Sequence, residues 1–487
     1  MGRGLAAFAL SAAGLAYVQF ASPHLVDPDG YYHLRMAALV REHGVPVAFP
    51  WLPLTILDPA HFTDHHLLLH VFQAPFTLLG DQALAGKLAA VTFAALAFTT
   101  FVLVLTWHGV RYPFLWLTLL FASASPFLFR MSMARGQSLS VALQLLTFHA
   151  LMRRSAVGVA AVSAVFVWTY NAFPILLPLV GIGIVSHAVT RGRVEYSLAL
   201  GAAAGVAFAL VVNPYFPSNV QFLWNHIAPK IFVADYATSV GTEWLPYSSW
   251  ALVTLLPGAL AAYLLALALS DRDEWRRDTA RLFWALTATL YLVLLLKSRR
   301  FVEYFPPAAV LALAFTLRAP LARLELRRVS WSEGRLALAV FAGLAFATLL
   351  LTTVTAAREE VRGQPSTARY QRGARWLAAH TPAGSLVFHT DWDDFPPLFF
   401  HNVHNTYVAG LDPDFLRLRD PRRYDRWVAV TRGQVADPGP VIAEEFGAAY
   451  AFTDDEHTEF IANADRSPRM ERAYVDDDVV IYRVRTP

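Results

Sequence analysis

Two aspartates, Asp27 and Asp29, stand two residues apart in the run Asp-Pro-Asp-Gly-Tyr-Tyr-His-Leu-Arg, residues 27–35. Carboxylates at that spacing can share a hard divalent cation through oxygen. One of them can instead polarise an acceptor as a base. Asp29 would equally cap the amphipathic helix expected just after it. A second cluster is Thr63-Asp64-His65-His66, with His61 and His70 nearby. Asp64 and His66 offer a carboxylate oxygen and an imidazole, a set suited to Mn2+, Fe2+ or Zn2+. Capping of a following helix is the competing reading.

Three further elements carry charge in unusual places. Glu243 ends the run Ser239-Val240-Gly241-Thr242-Glu243, where a lone loop acid is ordinarily solvated. Lys297-Ser298-Arg299-Arg300-Phe301-Val302-Glu303-Tyr304 follows an apolar run, and Arg130 and Arg135 flank another. A planar guanidinium suits a phosphate or pyrophosphate head group. Arginines at such positions also serve as snorkelling anchors. In the run Asp391-Trp392-Asp393-Asp394-Phe395, acids and an aromatic follow a strand-like segment. They can contact a polar acceptor or form a turn.

The elements that must position these residues are mostly apolar. The 487 residues are 56% hydrophobic and only 16% charged, against about 25% charged in soluble domains. That excludes a disordered chain, a nucleic-acid-binding arm and an ordinary cytosolic enzyme. The net charge of +3 adds little, because membrane proteins need basic cytoplasmic loops. There are no cysteines, which removes disulfides and thiolate chemistry. Eleven apolar runs predict membrane spans at 4–21, 88–106, 113–129, 138–152, 155–170, 172–189, 197–213, 250–270, 282–296, 302–317 and 336–355. The first, after Arg3, reads as an uncleaved signal anchor.

Residues 66–80 are apolar but short, and contain His66, His70, Gln73 and Pro75. Taken as a surface or re-entrant segment, they leave fifteen arginines in roughly 48 loop positions on the N-terminal side. The opposite short loops hold nine basic residues in roughly 115 positions. The asymmetry predicts a cytoplasmic N-terminus in the cytoplasmic membrane and a periplasmic or extracellular C-terminal domain. The chemistry-bearing residues then share the outer face. From Ala357 onward the chain reads as a small α/β domain, with a helix over 366–380 and strands in 385–390, 406–410, 448–454 and 479–484.

The run DGYYHLR resembles the first short motif of the oligosaccharyltransferase catalytic subunits, membrane enzymes of the GT-C glycosyltransferase class. In that family an Asp stands six residues before an Arg, as Asp29 does before Arg35. TDHH is similar to the metal-binding motif of the archaeal members, SVGTE to the outer-loop motif ending in Glu, and DWDDF to the Trp-Trp-Asp-Tyr-Gly block that opens the soluble domain. Here Asp64 shares one outer loop with Asp29, and the tail block has a single Trp.

The resemblance implies a GT-C-like domain of eleven transmembrane helices over residues 1–356, with catalytic outer loops 22–87 and 214–249. An extracytoplasmic α/β domain over 357–487 follows. It implies transfer of a sugar or oligosaccharide from a polyprenyl (pyro)phosphate carrier to a protein, lipid or glycan acceptor. Asp29 and Glu243 would be catalytic. Asp29, Asp64 and His66 would hold Mn2+ or Mg2+, with Zn2+ a further option. Arg299, Arg300 and Arg130 would hold the donor phosphate, and Trp392, Asp393 and Asp394 the acceptor. A metal-independent polyprenyl-phosphate-sugar transferase acting on lipid or polysaccharide is the nearest alternative. A lipid-linked glycan transporter is the second, although transporters more often place polar groups at mid-membrane.

Overall fold

A computed structural model describes residues 2–232, 242–323 and 332–485. Ser239, Val240 and Gly241 lie outside the described residues. The chain forms two compact units. One comprises Met1–Val26, Lys87–Val211 and Gly241–Gln364, the other Asp27–Gly86, Val212–Val240 and Pro365–Pro487. Residues 27–86 and 214–240 of the two predicted outer loops therefore belong to the same unit as the tail, whereas Glu243 and the end of the second loop belong to the first unit.

In the first unit a helix, or a bent pair of helices, stands at each of the eleven predicted runs. Among the described residues, by length and composition only four are long and apolar enough to cross a membrane: Gln82–Trp107, Phe173–Arg191, Thr279–Lys297 and Glu333–Arg362. Six qualify if each bent pair counts as one span, so the expected eleven full spans reduce to a mixture of long, broken and short helices. Glu333–Arg362 shows the membrane signature most directly. Phe341 is 70% exposed and Leu351 66% exposed on a helix with almost nothing packed around its apolar stretch. Such a surface is costly in water and ordinary in lipid.

The two bends explain each other. Pro113–Phe121 and Ser125–Met131 meet at 97°, and Ser249–Leu255 and Pro257–Ala268 at 88°. Pro126 and Pro257 sit in the first turn after each break, where a missing N–H costs nothing. Backbone freed by a break in hydrocarbon needs a partner. Ala259 N–H donates to the Ser123 carbonyl at 2.9 Å, so one bend satisfies the other. Gly258 permits the approach, since a Cβ there would strike the Ala122 carbonyl oxygen.

The second unit is built on a five-stranded sheet. Its strands are β1 (Leu386–His389), β2 (Thr406–Tyr407), β3 (Tyr450–Asp454), β4 (Met470–Val475) and β5 (Val479–Val484), in the order β2-β1-β3-β5-β4. β1 runs parallel to β2 and β3, and β5 antiparallel to β3 and β4. Strand alternation sorts the core. Val387, Phe452 and Ile481 face a cluster that includes Tyr32, Met36, Phe49, Trp51 and Phe62 from the first loop. Phe388, Ala451 and Tyr482 face the opposite cluster with Trp427 and Phe460. The predicted tail helix shortens to Gln371–His380, because Tyr370 before it adopts a left-handed φ of 67°. β4 was not predicted from the sequence; it pairs with β5 across the turn of Asp476, Asp477 and Asp478. Residues 66–80 form a short helix, Leu67–Gln73, and a 3-10 turn, Ala74–Leu78, within this unit.

Candidate functional sites in the two units

The first unit gathers a buried basic cluster. Arg130 lies on the short helix after the first bend. Its Nε donates to Glu303 at 3.0 Å, and its Nη1 to Glu243 at 3.1 Å. Arg300 Nη1 lies 3.1 Å from the other Glu243 oxygen, and its Nη2 donates to the Tyr170 hydroxyl at 3.3 Å. The Arg300 guanidinium also sits over the Trp244 ring at 5.0 Å. Ser298 donates to the Glu243 carbonyl at 3.0 Å and so pins the loop. Burial works to raise the Glu243 carboxyl, but Arg300 and Arg130 prevail and hold it well below the usual carboxylate range. Arg135 bears electrostatically on the same group. Three guanidiniums thus face two carboxylates. The buried Arg130 Nη2 has no hydrogen-bond partner among the described residues.

The structure separates the two adjacent arginines. Arg299 Nε donates to the Pro246 carbonyl at 3.2 Å, and the side chain lies over the Tyr247 ring. Arg300 turns inward to the Glu243 pair. Sequence reasoning could not choose between them, nor find Tyr170 and Glu303 as members of the cluster.

The second unit gathers acids and histidines. Asp29 is the first residue of the helix Asp29–His43, whose cap position is Pro28 with no side-chain capping bond. Asp27 before it holds a φ of 102°, a strained value for an aspartate. Asp393 is exposed at the start of the tail's second helical segment, and Asp29, Asp391, Asp27 and Asp394 all bear on it electrostatically. These carboxylates form one acidic patch within the unit.

Asp64 is engaged differently from the expectation. Its Oδ2 accepts from His70 Nδ1 at 2.7 Å, and its Oδ1 from the backbone N–H of His66 at 3.0 Å. His70 Nε2 is 2.8 Å from His33 Nδ1. Asp64, His70 and His33 are all buried and form a continuous chain leading to the Asp29 helix. Burial favours the neutral Asp64, yet His70 and the His66 N–H hold its carboxyl below the ordinary value. The expected metal set of Asp29, Asp64 and His66 is therefore not assembled. Both Asp64 oxygens are committed, and His66 meets Asp64 through its backbone. Among the described residues no group of three or more His, Asp or Glu is placed to hold a metal ion. His33 and His70 were visible in the sequence, but a separation of 37 positions conceals their pairing.

Asp394 faces inward. Its Oδ2 accepts from the Asp391 N–H at 3.1 Å and closes a capping box at the start of the 3-10 turn Trp392–Asp394. Burial, then the nearby Asp454 and Asp391, pushes its carboxyl up to about 8. An unfolded Asp titrates near 4. Between about pH 4 and pH 8 the folded chain holds the extra proton, so this group's contribution to stability falls as pH rises through that window. Asp394→Asn should therefore gain melting temperature relative to the unsubstituted protein between pH 5 and pH 8. A difference that stays flat across that range would refute the buried, protonated state.

The fold of this chain is shared with solved structures of other proteins. The archaeal oligosaccharyltransferase AglB from Archaeoglobus fulgidus, in complex with an inhibitory peptide and a dolichol-phosphate, matches with a TM-score of 0.67 at 14% identity, over 95% of this chain and 71% of that one. ArnT from Cupriavidus metallidurans bound to undecaprenyl phosphate matches with a TM-score of 0.58 at 16% identity, over 98% and 97% of the two chains. No family model matches the sequence, and no curated protein does.

Proposed function

We propose that the protein is a membrane glycosyltransferase that takes a sugar from a polyprenyl phosphate or pyrophosphate carrier. The observation that carries this reading is the Glu243 carboxylate bridged by Arg130 and Arg300. Two guanidiniums that grip a two-oxygen anion, with a third beside them and a spare buried donor, suit a phosphate. The fold shared with proteins that bind dolichol-phosphate and undecaprenyl phosphate supports the same ligand class. In this reading Arg300 and Arg130 hold the donor phosphate and stabilise charge on the leaving group. Glu243 sets the spacing of the two arginines. Asp29 polarises the acceptor hydroxyl or amide as a base. Trp392 and Asp393 contribute to acceptor binding. No step is routed through a metal held by Asp64 and His66. The metal-independent transferase is the reading put to the test.

The test is consumption of a radiolabelled polyprenyl-phosphate sugar by the purified protein in lipid vesicles. Release of polyprenyl phosphate should persist in excess chelator. Loss of activity in chelator, restored by Mn2+ or Mg2+, would return the metal to the reaction. No turnover of any polyprenyl-linked sugar would sink the function.

Parity supports one shared side for the two loops and the tail, and the arginine asymmetry gives its direction. Residues 27–86, 212–240 and 365–487 make one compact unit and must share one side of the membrane. Among the described residues, six apolar helices or bent pairs lie between the first two segments: Gln82–Trp107, Pro113–Met131, Gln137–Met152, Ala156–Thr169, Phe173–Arg191 and Tyr196–Val211. Four lie between the second and third: Ser249–Ala268, Thr279–Lys297, Phe305–Thr316 and Glu333–Arg362. Both numbers are even, which supports a surface role for residues 66–80. A reporter fused after residue 320 should read cytoplasm and one after residue 365 the exterior. The reverse pair would overturn the orientation.

A further inference from the structure

The first unit has a second polar concavity that the transfer reaction does not use. It has a volume of about 680 Å3. It is built from the ends of Gln82–Trp107, Gln137–Met152 and Leu176–Arg191 and the start of Thr279–Lys297. Four arginines line it: Arg153, Arg191, Arg277 and Arg318. Asp278 is the one acid in the lining, so four positive charges against one leave +3 with the histidines neutral. That acid is already occupied. It accepts from Arg318 Nη2 at 2.8 Å and from the Ala280 N–H at 3.1 Å. Arg153, Arg191 and Arg277 are exposed and have no acidic partner among the described residues. His108 and His149 complete one wall, with His108 Nε2 3.2 Å from His149 Nδ1.

The positive-inside rule explains arginines in loops on this face, but it asks only for their number. It does not ask that four from four separate segments converge on one concavity. Unpaired guanidiniums gathered there repel one another unless an anion neutralises them. Their forks match phosphate oxygens in pairs. The volume exceeds what a bare phosphate fills and lies within the range of small-molecule sites, about 300–1,000 Å3. We propose that this cavity binds a phosphate ester, with Arg153, Arg191 and Arg277 gripping the phosphate and the remaining space taking the group esterified to it. Two sources share that chemistry: the head group of an anionic phospholipid and a soluble phosphate ester.

The experiment uses the full-length purified protein and two probes. Native mass spectrometry compares short-chain phosphatidic acid with phosphatidylcholine, and calorimetry titrates inorganic pyrophosphate. At least one phosphate probe should bind. Arg153→Gln, Arg191→Gln and Arg277→Gln should each weaken it about tenfold, the value of one charge-assisted contact. Arg193→Gln, at an exposed arginine outside the lining, should leave that binding unchanged. These arginines are exposed, so an unaltered melting temperature without probe checks that each variant folds. Phosphatidic acid binding alone identifies a lipid head group, and pyrophosphate binding alone a soluble ester. The proposal is overturned if neither probe exceeds phosphatidylcholine, or if binding survives all three substitutions.

Discussion

Replacing Arg300 by alanine should lower turnover of a polyprenyl-linked sugar roughly ten- to a hundredfold, while Arg299→Ala stays within about twofold of the unsubstituted enzyme. The contrast comes from where the two side chains go. Arg300 lies against Glu243 and Tyr170 in a buried cluster, and Arg299 bonds a backbone carbonyl near the surface. A charge-assisted contact is worth about 1.5–3 kcal/mol, and each 1.4 kcal/mol is a factor of ten. Arg300→Lys should fall between, because it keeps the charge and loses the planar fork. Steady-state kinetics on the purified variants, with melting temperatures as the folding check, read the result. Equal effects at the two positions would mean that the donor phosphate is held elsewhere.

Asp29→Asn should reduce kcat by about 10²- to 10⁴-fold, the usual contribution of a positioned base, and leave thermal stability near that of the parent. Asp29 occupies the first turn of its helix, and the near-isosteric Asn keeps its shape there. Asp64→Ala should behave in the opposite manner. It strips the buried partner from His70 and should destabilise the fold by about 3–5 kcal/mol, as breaking buried pairs does. Activity per folded molecule should fall less for Asp64→Ala than for Asp29→Asn. If Asp64→Ala instead abolished turnover with the melting temperature intact, Asp64 would be a chemical group after all.

The helical segments were legible in the sequence because each rests on a local, uninterrupted apolar run. The 97° and 88° bends were not, since each is stabilised by backbone from the other. The arginine cluster was half legible. Charge at the end of an apolar run singled out Arg130, Arg299 and Arg300, but the Arg130–Glu303 pair joins residues 173 positions apart. The spacing of Asp64 and His66 also allowed the local capping contact that the structure shows. A short polar side chain two residues before a helix start readily takes the local backbone N–H, and Asp64 does so. The membership of residues 27–86 in the tail's unit escaped because their core partners lie hundreds of residues downstream.

That last separation bears on biogenesis. The Trp51 indole N–H donates to the Val403 carbonyl, 352 residues further on, and the Trp51 carbonyl accepts from Tyr407 N–H at the edge of β2. Synthesis runs at about 5–20 residues per second, so the first loop waits roughly 20–70 s before its partners emerge. Throughout that interval Tyr32, Phe49, Trp51 and Phe62, all buried at the end, have no core to enter. Strand β5, which lies between β3 and β4, ends at Val484, so the sheet closes only after that residue is made. Contacts of such long range fold slowly and expose apolar surface meanwhile. Cells making this protein must therefore shelter an early segment until the residues of the sheet have emerged.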